Sequence, residues 1–264
     1  MSDIWSFFKY QGTGNDFIMI DNRLGNFPKS EREQIERWCD RRFGVGADGL
    51  ILIENDPDYD FKMVYYNADG NQSSMCGNGG RCIVAFAKQL GIIEKSGYFQ
   101  AVDGLHYATI DEHNTVSLQM CDVNQVERQG EDFFLNTGSP HHVMIVNDLD
   151  HYDVYQRGKE IRNSTAYQPG GTNVNFVEQV DQQTFAIRTF ERGVEDETWS
   201  CGTGATAVAI AMYTKGLINA CEVNILVKGG QLKVAFVKED EVFTSVFLTG
   251  PAQMVFEGTI KMAL

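Results

Sequence analysis

Short apolar runs recur along the chain, set apart by glycine and polar residues. The first are Phe17-Ile18-Met19-Ile20, Leu50-Ile51-Leu52-Ile53, Met63-Val64-Tyr65-Tyr66 and His142-Val143-Met144-Ile145-Val146. Residues 174–177, 186–190, 232–236 and a last stretch, 254–260, have the same character. Their length and their β-branched and aromatic content predict strands. A different pattern, Ser30 followed by Glu33, has the form of a capping box. It predicts a helix with Ile35, Trp38 and Cys39 on one face, stopped by Gly44. Residues 205–213 differ again, being small or apolar nearly all round. A helix without a polar face belongs in a core.

The pattern also repeats. Met75-Cys76-Gly77-Asn78-Gly79 opens a stretch that ends in Gly91; Ser200-Cys201-Gly202-Thr203-Gly204 opens one that ends in Gly216. Both the cysteines and the closing glycines are 125 positions apart. With 26 glycines in 264 residues, a given cysteine begins C-G-x-G about once in a hundred by composition alone. Two such events among six cysteines argue against coincidence. Gly14 and Gly138, Met19 and Met144, Glu54 and Glu178, and Phe61 and Phe185 keep an offset of 124 or 125. The set predicts duplicated halves rather than one irregular α+β domain with two similar turns. The expected fold is therefore α+β, with two pseudo-symmetric domains, each a curved, mostly antiparallel sheet wrapped around a central helix. The expected halves are 1–122, joined by the C-terminal strand 254–264, and 123–253. Cys76 and Cys201 would start the two central helices, near where the halves meet.

Charge narrows the partners. Lys and Arg number 22 against 36 Asp and Glu, a net charge of −14, which argues against a nucleic-acid partner. No apolar run approaches the ~18 residues of a membrane span, and residues 1–10 lack a signal-peptide pattern. The expectation is a cytoplasmic protein with no membrane partner. Cys39, Cys76, Cys82, Cys121, Cys201 and Cys221 form no C-x-x-C pair, and His141-His142 has no cysteine pair at zinc spacing. No metal site is expected.

The chemistry lies in the two glycine-flanked cysteines. A helix start offers unpaired N–H groups and roughly half a positive charge, and glycines let a ligand approach those amides. Such a place can hold a carboxylate and favours thiolate over thiol. Inverting an amino-acid α-carbon needs a base on one face and an acid on the other, and twin cysteines, one thiolate and one thiol, supply that pair. No lysine-centred pyridoxal phosphate motif is evident, so no cofactor is expected. For Cys39, Cys82, Cys121 and Cys221 plain core packing is the better reading.

At these positions the chain resembles the diaminopimelate epimerase family. The resemblance rests on Gly12-Thr13-Gly14-Asn15-Asp16-Phe17, Gly44-Val45-Gly46-Ala47-Asp48-Gly49, Asn67-Ala68-Asp69-Gly70, Gly138-Ser139-Pro140-His141, Asn173-Val174-Asn175-Phe176, Glu191-Arg192-Gly193 and the two cysteine motifs. It implies conversion of LL-2,6-diaminopimelate to the meso form in lysine and cell-wall precursor synthesis, and a homodimer. It also implies roles. Cys76 and Cys201 are the acid–base pair; Gly77, Asn78, Gly202 and Thr203 meet the reacting carboxylate; Asn15, Asn67, Asn173, Glu191 and Arg192 hold the rest of the substrate. An arginine can fork onto a carboxylate and a glutamate can pair an ammonium. By itself, Glu191-Arg192 would read as a solvated charge pair. The family often has Gly-Asn-Pro-His where this chain has Ser139, whose reach is shorter. Ser139 and His141 are supporting candidates, and His141 reads equally as a satisfied structural histidine.

Two rivals remain. Proline racemases and hydroxyproline epimerases are similar in both C-G-x-G motifs; against them stand Asn78 and the polar set Asn15, Asn67, Asn173 and Arg192, which suits a second amino-acid head. A redox switch or amino-acid-binding module would use the same cysteines without catalysis.

Overall fold

The protein is described here by a computed structural model covering residues 4–73 and 75–262. It divides into two compact units, Met1–Leu118 with Pro251–Leu264, and Gln119–Gly250. In chain order the first contains β1 (Ile4–Gly12), β2 (Asn15–Asp21), α1 (Arg32–Cys39), β3 (Gly49–Glu54), β4 (Phe61–Asn67), β5 (Gln72–Ser73), α2 (Gly77–Gln89), β6 (Ser96–Ala101), β7 (Gly104–Ile110) and β8 (Thr115–Gln119). The second contains β9 (Val126–Gln129), β10 (Asp132–Asn136), β11 (Pro140–Ile145), α3 (Val154–Arg162), β12 (Asn173–Gln179), β13 (Thr184–Glu191), β14 (Asp196–Thr198), α4 (Gly202–Lys215), β15 (Glu222–Val227), β16 (Gly230–Glu239) and β17 (Val242–Pro251). The last strand, β18 (Gln253–Lys261), belongs to the first unit.

Strand pairing shows the duplication more plainly than the sequence does. In the first unit β1 and β2 form a hairpin, β2 and β3 run parallel across α1, and β3 and β4 are antiparallel. Next, β4 and β6 run parallel across α2, and β7 pairs with β6 and β8. The second unit repeats each step: β10–β11, then β11 parallel to β12 across α3, β12–β13, β13 parallel to β15 across α4, and β15–β16–β17. Even the outer partner is matched, β18 beside β1 in one unit and β9 beside β10 in the other. Most pairs are antiparallel, and each helical crossover supplies a parallel one, as parallel neighbours require.

The helices that follow the cysteine motifs occupy the centres. α2 packs against β1, β2, β3, β7 and β18; α4 packs against β10, β11, β12, β13, β15 and β16. From Gly204 to Met212 every residue of α4 is buried, so the absence of a polar face is a core signature here. Gly216, at φ 80°, closes α4 in the left-handed region that glycine reaches without strain.

The seven earlier strand-like runs fall within β2, β3, β4, β11, β12, β13 and β16, allowing Val146 one residue beyond β11, and 254–260 falls within β18. The capping box does not form. A turn brings the Glu31 N–H to the Pro28 carbonyl, so α1 starts one residue later, with Glu31 at its N-cap and no side-chain cap bond. Nor does Gly44 stop it. α1 ends at Cys39, and the Asp40 carboxylate accepts the N–H groups of Arg42 and Phe43. Gly44 serves packing instead, since a Cβ there would lie 2.1 Å from the Arg37 carbonyl oxygen. The buried face, Ile35, Trp38 and Cys39, is as the periodicity predicts. Cys121 and Cys221 depart from expectation: both are exposed. Among the described residues no helix is long and apolar enough to cross a membrane.

Candidate active site

Cys76 and Cys201 occupy the same place in their units: each is the N-cap of the central helix, with extended backbone, before Gly77 or Gly202 begins the first turn. The Cys76 sulfur accepts the Gly79 N–H at 3.5 Å, so the helix start donates to it directly. A negative sulfur gains from that bond and from the helix dipole. Cys82, one and a half turns further into α2, is fully buried, and burial pushes its thiol up to about 12. It therefore stays protonated at neutral pH.

Around Cys76 the structure gathers Gly77, Asn78 and Asn15. The Asn78 side-chain N–H donates to Asn15 Oδ1 at 2.6 Å, and Asn15 Nδ2 donates to Asp48 Oδ2 at 3.0 Å. Asp48 in turn shares Arg41 with Asp16. Burial alone would raise the Asp16 carboxyl, but hydrogen bonds and charge from Arg41 and Lys9 hold it near 2. Asn67 sits at the end of β4 opposite Gly49.

In the second unit Cys201 is 7% exposed and lies at the end of a polar chain. Asn175 Nδ2 donates to the His142 carbonyl and to His141 Nδ1. That fixes the tautomer: the proton is on His141 Nε2, which donates to Thr203 Oγ1 at 2.9 Å. Thr203, having accepted one bond, can direct its own hydrogen to the Cys201 sulfur 3.5 Å away. The chain of donors ends on sulfur. Nearby, Asn173 donates to Ser139 Oγ and the Pro140 carbonyl while its Oδ1 accepts the Arg192 N–H. Ser139 thus holds Asn173, which in turn holds Arg192. The Arg192 side chain is exposed, one Nη 3.3 Å from the Gly170 carbonyl, and Glu191 is half-buried at the end of β13.

His141 is fully buried, and burial, with the Arg192 charge, lowers its pKa to about 3. Between pH 6.5 and 3 the unfolded chain binds a proton there that the folded one refuses, so this residue's contribution to stability falls as pH drops through that window. Stability should fall by about 3 kcal/mol between pH 7 and 4 from this residue alone. In urea melts across that range, His141→Gln is expected to flatten the pH dependence; an unchanged slope would show that His141 does not carry it.

Asn175, Asp48 and Thr13 lie inside the motifs without a local feature that marks them, and Arg81 lies outside the motifs. The missed signal was an arginine in a helix segment otherwise small and apolar: Arg81 is fully buried.

A family model described as diaminopimelate epimerase matches residues 7–126 and 133–255. The diaminopimelate epimerase of Flavobacterium psychrophilum is 60% identical over 253 residues, covering 96% of this chain and 99% of that one. That of Aquifex aeolicus is 43% identical, covering 97% of each. Among solved structures, a phenazine biosynthesis protein of the PhzF family from Bacillus anthracis superposes with a TM-score of 0.78 at 14% identity, covering 97% of this chain and 99% of that one. A hydroxyproline epimerase from Agrobacterium vitis reaches 0.70 at 12% identity, covering 98% and 93%. At such identities the structural likenesses establish the fold, which several chemistries share. Family rests instead on the sequence matches, which run through both halves and both cysteine motifs: the chain belongs to the diaminopimelate epimerase family.

Proposed function

We propose that this chain interconverts LL- and meso-2,6-diaminopimelate without a cofactor, with Cys76 and Cys201 as the two bases. The observation that carries this reading is the twin placement of the cysteines, each capping a buried central helix, in a chain 60% identical to a diaminopimelate epimerase. One sulfur, as thiolate, takes the α-proton; the other, as thiol, gives its proton to the opposite face. The electron pair left by the α-proton spreads into the carboxylate, where the amides of Gly77, Asn78, Gly202 and Thr203 stabilise it. Each turnover leaves the two protonation states exchanged. Asn15, Asn67, Asn173, Glu191 and Arg192 hold the distal amino-acid end, and Arg192, with its backbone fixed by Asn173, takes the distal carboxylate.

The reading extends to setting and assembly. Both sulfurs must stay reduced to act, which suits a cytoplasmic protein. A homodimer is supported by Met254, Val255 and Phe256, consecutive exposed apolar residues on β18.

The test is incubation of reduced protein with LL-diaminopimelate in deuterium oxide. The expected result is an LL and meso mixture with one deuterium at the inverted carbon, and no exchange with L-proline. Turnover of L-proline in preference would favour the proline racemase reading, and no exchange with either would leave a binding module.

A further inference from the structure

Arg81 is a charged side chain with 0% exposure, and no carboxylate pairs with it among the described residues. Its guanidinium donates instead to neutral oxygens: the Gly77 carbonyl at 3.2 Å, Asn78 Oδ1 at 2.9 Å and Thr13 Oγ1 at 3.1 Å. Its Nε meets no acceptor among the described residues. A buried guanidinium without a carboxylate partner is costly and needs a reason, and the groups whose charge acts on it are the thiols of Cys82 and Cys76.

Polarity supplies one. A guanidinium can only donate and an ionised carboxylate can only accept, whereas a carboxamide can turn over and swap its two ends. Arg81 at one end therefore forces Asn78 to present its oxygen inward and its N–H to Asn15. Asp48 at the other end forces Asn15 to present its N–H there and its oxygen to Asn78. Neither amide can flip without setting donor against donor or acceptor against acceptor. Arg81 also reaches the hairpin that carries Asn15. Thr13 sits in that turn at φ 51°, a conformation a branched residue resists, and its hydroxyl bridges Arg81 and the Gly12 carbonyl.

We propose that Arg81 and Asp48 are positioning residues for the epimerase reaction, the donor and acceptor ends of a one-way relay that fixes the Asn78 and Asn15 amides toward substrate. This rests on the function proposed above and adds two residues that need not touch substrate.

The experiment is a double-mutant cycle in diaminopimelate turnover, with thermal midpoints measured alongside. Arg81→Lys keeps the charge but loses the fork; Asp48→Asn keeps the shape but adds a donor where only an acceptor fits. Each is expected to raise KM about tenfold with kcat within about threefold, because Arg81→Lys keeps the positive charge that acts on Cys76 and neither substitution alters a sulfur. No hydrogen bond joins Arg81 to Asp48 directly, so unrelated effects would multiply to about a hundredfold in the double variant. A shared relay, once broken, can lose little more, and the double variant should stay near tenfold to twentyfold. A hundredfold loss in the double variant, a wild-type KM in either single variant, or a loss confined to kcat overturns the relay. If Arg81→Lys does not fold, the KM of Asp48→Asn, altered at the exposed end, decides alone. An inactive wild-type protein removes the functional reading and the relay with it, whereas an active wild type with indifferent variants removes only the relay.

Discussion

Replacing Cys76 or Cys201 with serine is expected to lower epimerisation of LL-diaminopimelate by at least about a thousandfold, in the range of losing a positioned acid or base. Serine matches cysteine in shape but is a far weaker acid, so the helix start that favours a thiolate cannot make an alkoxide at neutral pH. The fold should survive, because Cys76 caps α2 at a half-buried helix start and serine at the buried Cys201 differs from cysteine by little volume. Cys82→Ser is the control: its thiol, held near 12 by burial, is silent in acid–base terms, and activity should remain within about threefold. Deuterium incorporation and product ratio, measured on reduced protein, check both. Near-normal activity in either capping variant removes that cysteine from the reaction.

Gly204→Ala should cost about a hundredfold in kcat/KM, while Gly79→Ala, at the matching place in the first motif, should cost less than about tenfold. Alanine favours a helix by about 1 kcal/mol over glycine, so each substitution begins with a small gain. What lies beneath decides the outcome. A Cβ on Gly79 would meet the tip of Ile51 at 3.1 Å, with Met63 and Phe17 beyond, a flexible apolar floor that can give. A Cβ on Gly204 would lie 2.4 Å from Asn175 Oδ1. Asn175 cannot yield cheaply, because its amide also holds His141, the His142 carbonyl and Thr189. Moving it strands buried polar groups at about 1–3 kcal/mol apiece and releases His141 from Thr203, which faces the Cys201 sulfur. Kinetics and thermal melts of the two variants side by side give the comparison. Equal effects would mean that the polar floor under Cys201 is dispensable.

The contrast between the floors also marks where sequence stops being informative. The motifs, the central helices and the duplication were legible because their signals are local: glycine spacing, an unbroken apolar stretch, a constant offset. The His141, Asn175 and Thr189 cluster was not, because β11, β12 and β13 bring these residues together only in register. α3 was missed because it buries only Val154 and Gly158, too few for a periodic signal. The 124-residue offset from α1 pointed there all the same. Cysteine's preference for burial misplaced Cys121 and Cys221, since a residue type's average says nothing of a turn between elements. Arg81 stood out only as a charge in a small, apolar helix segment; its burial comes from the topology that closes over it.

The pairing of β18 with β1, from Ile4 opposite Lys261 to Gln11 opposite Gln253, has a bearing on synthesis. The half that leaves the ribosome first lacks one of its strands until the other half has been made in full. For that interval β1 has β2 on one side and an open edge on the other, the kind of edge that recruits wrong partners. A chain ended at residue 252 should therefore hold every strand of the later-made half and leave β1 of the earlier-made half unpaired along one edge.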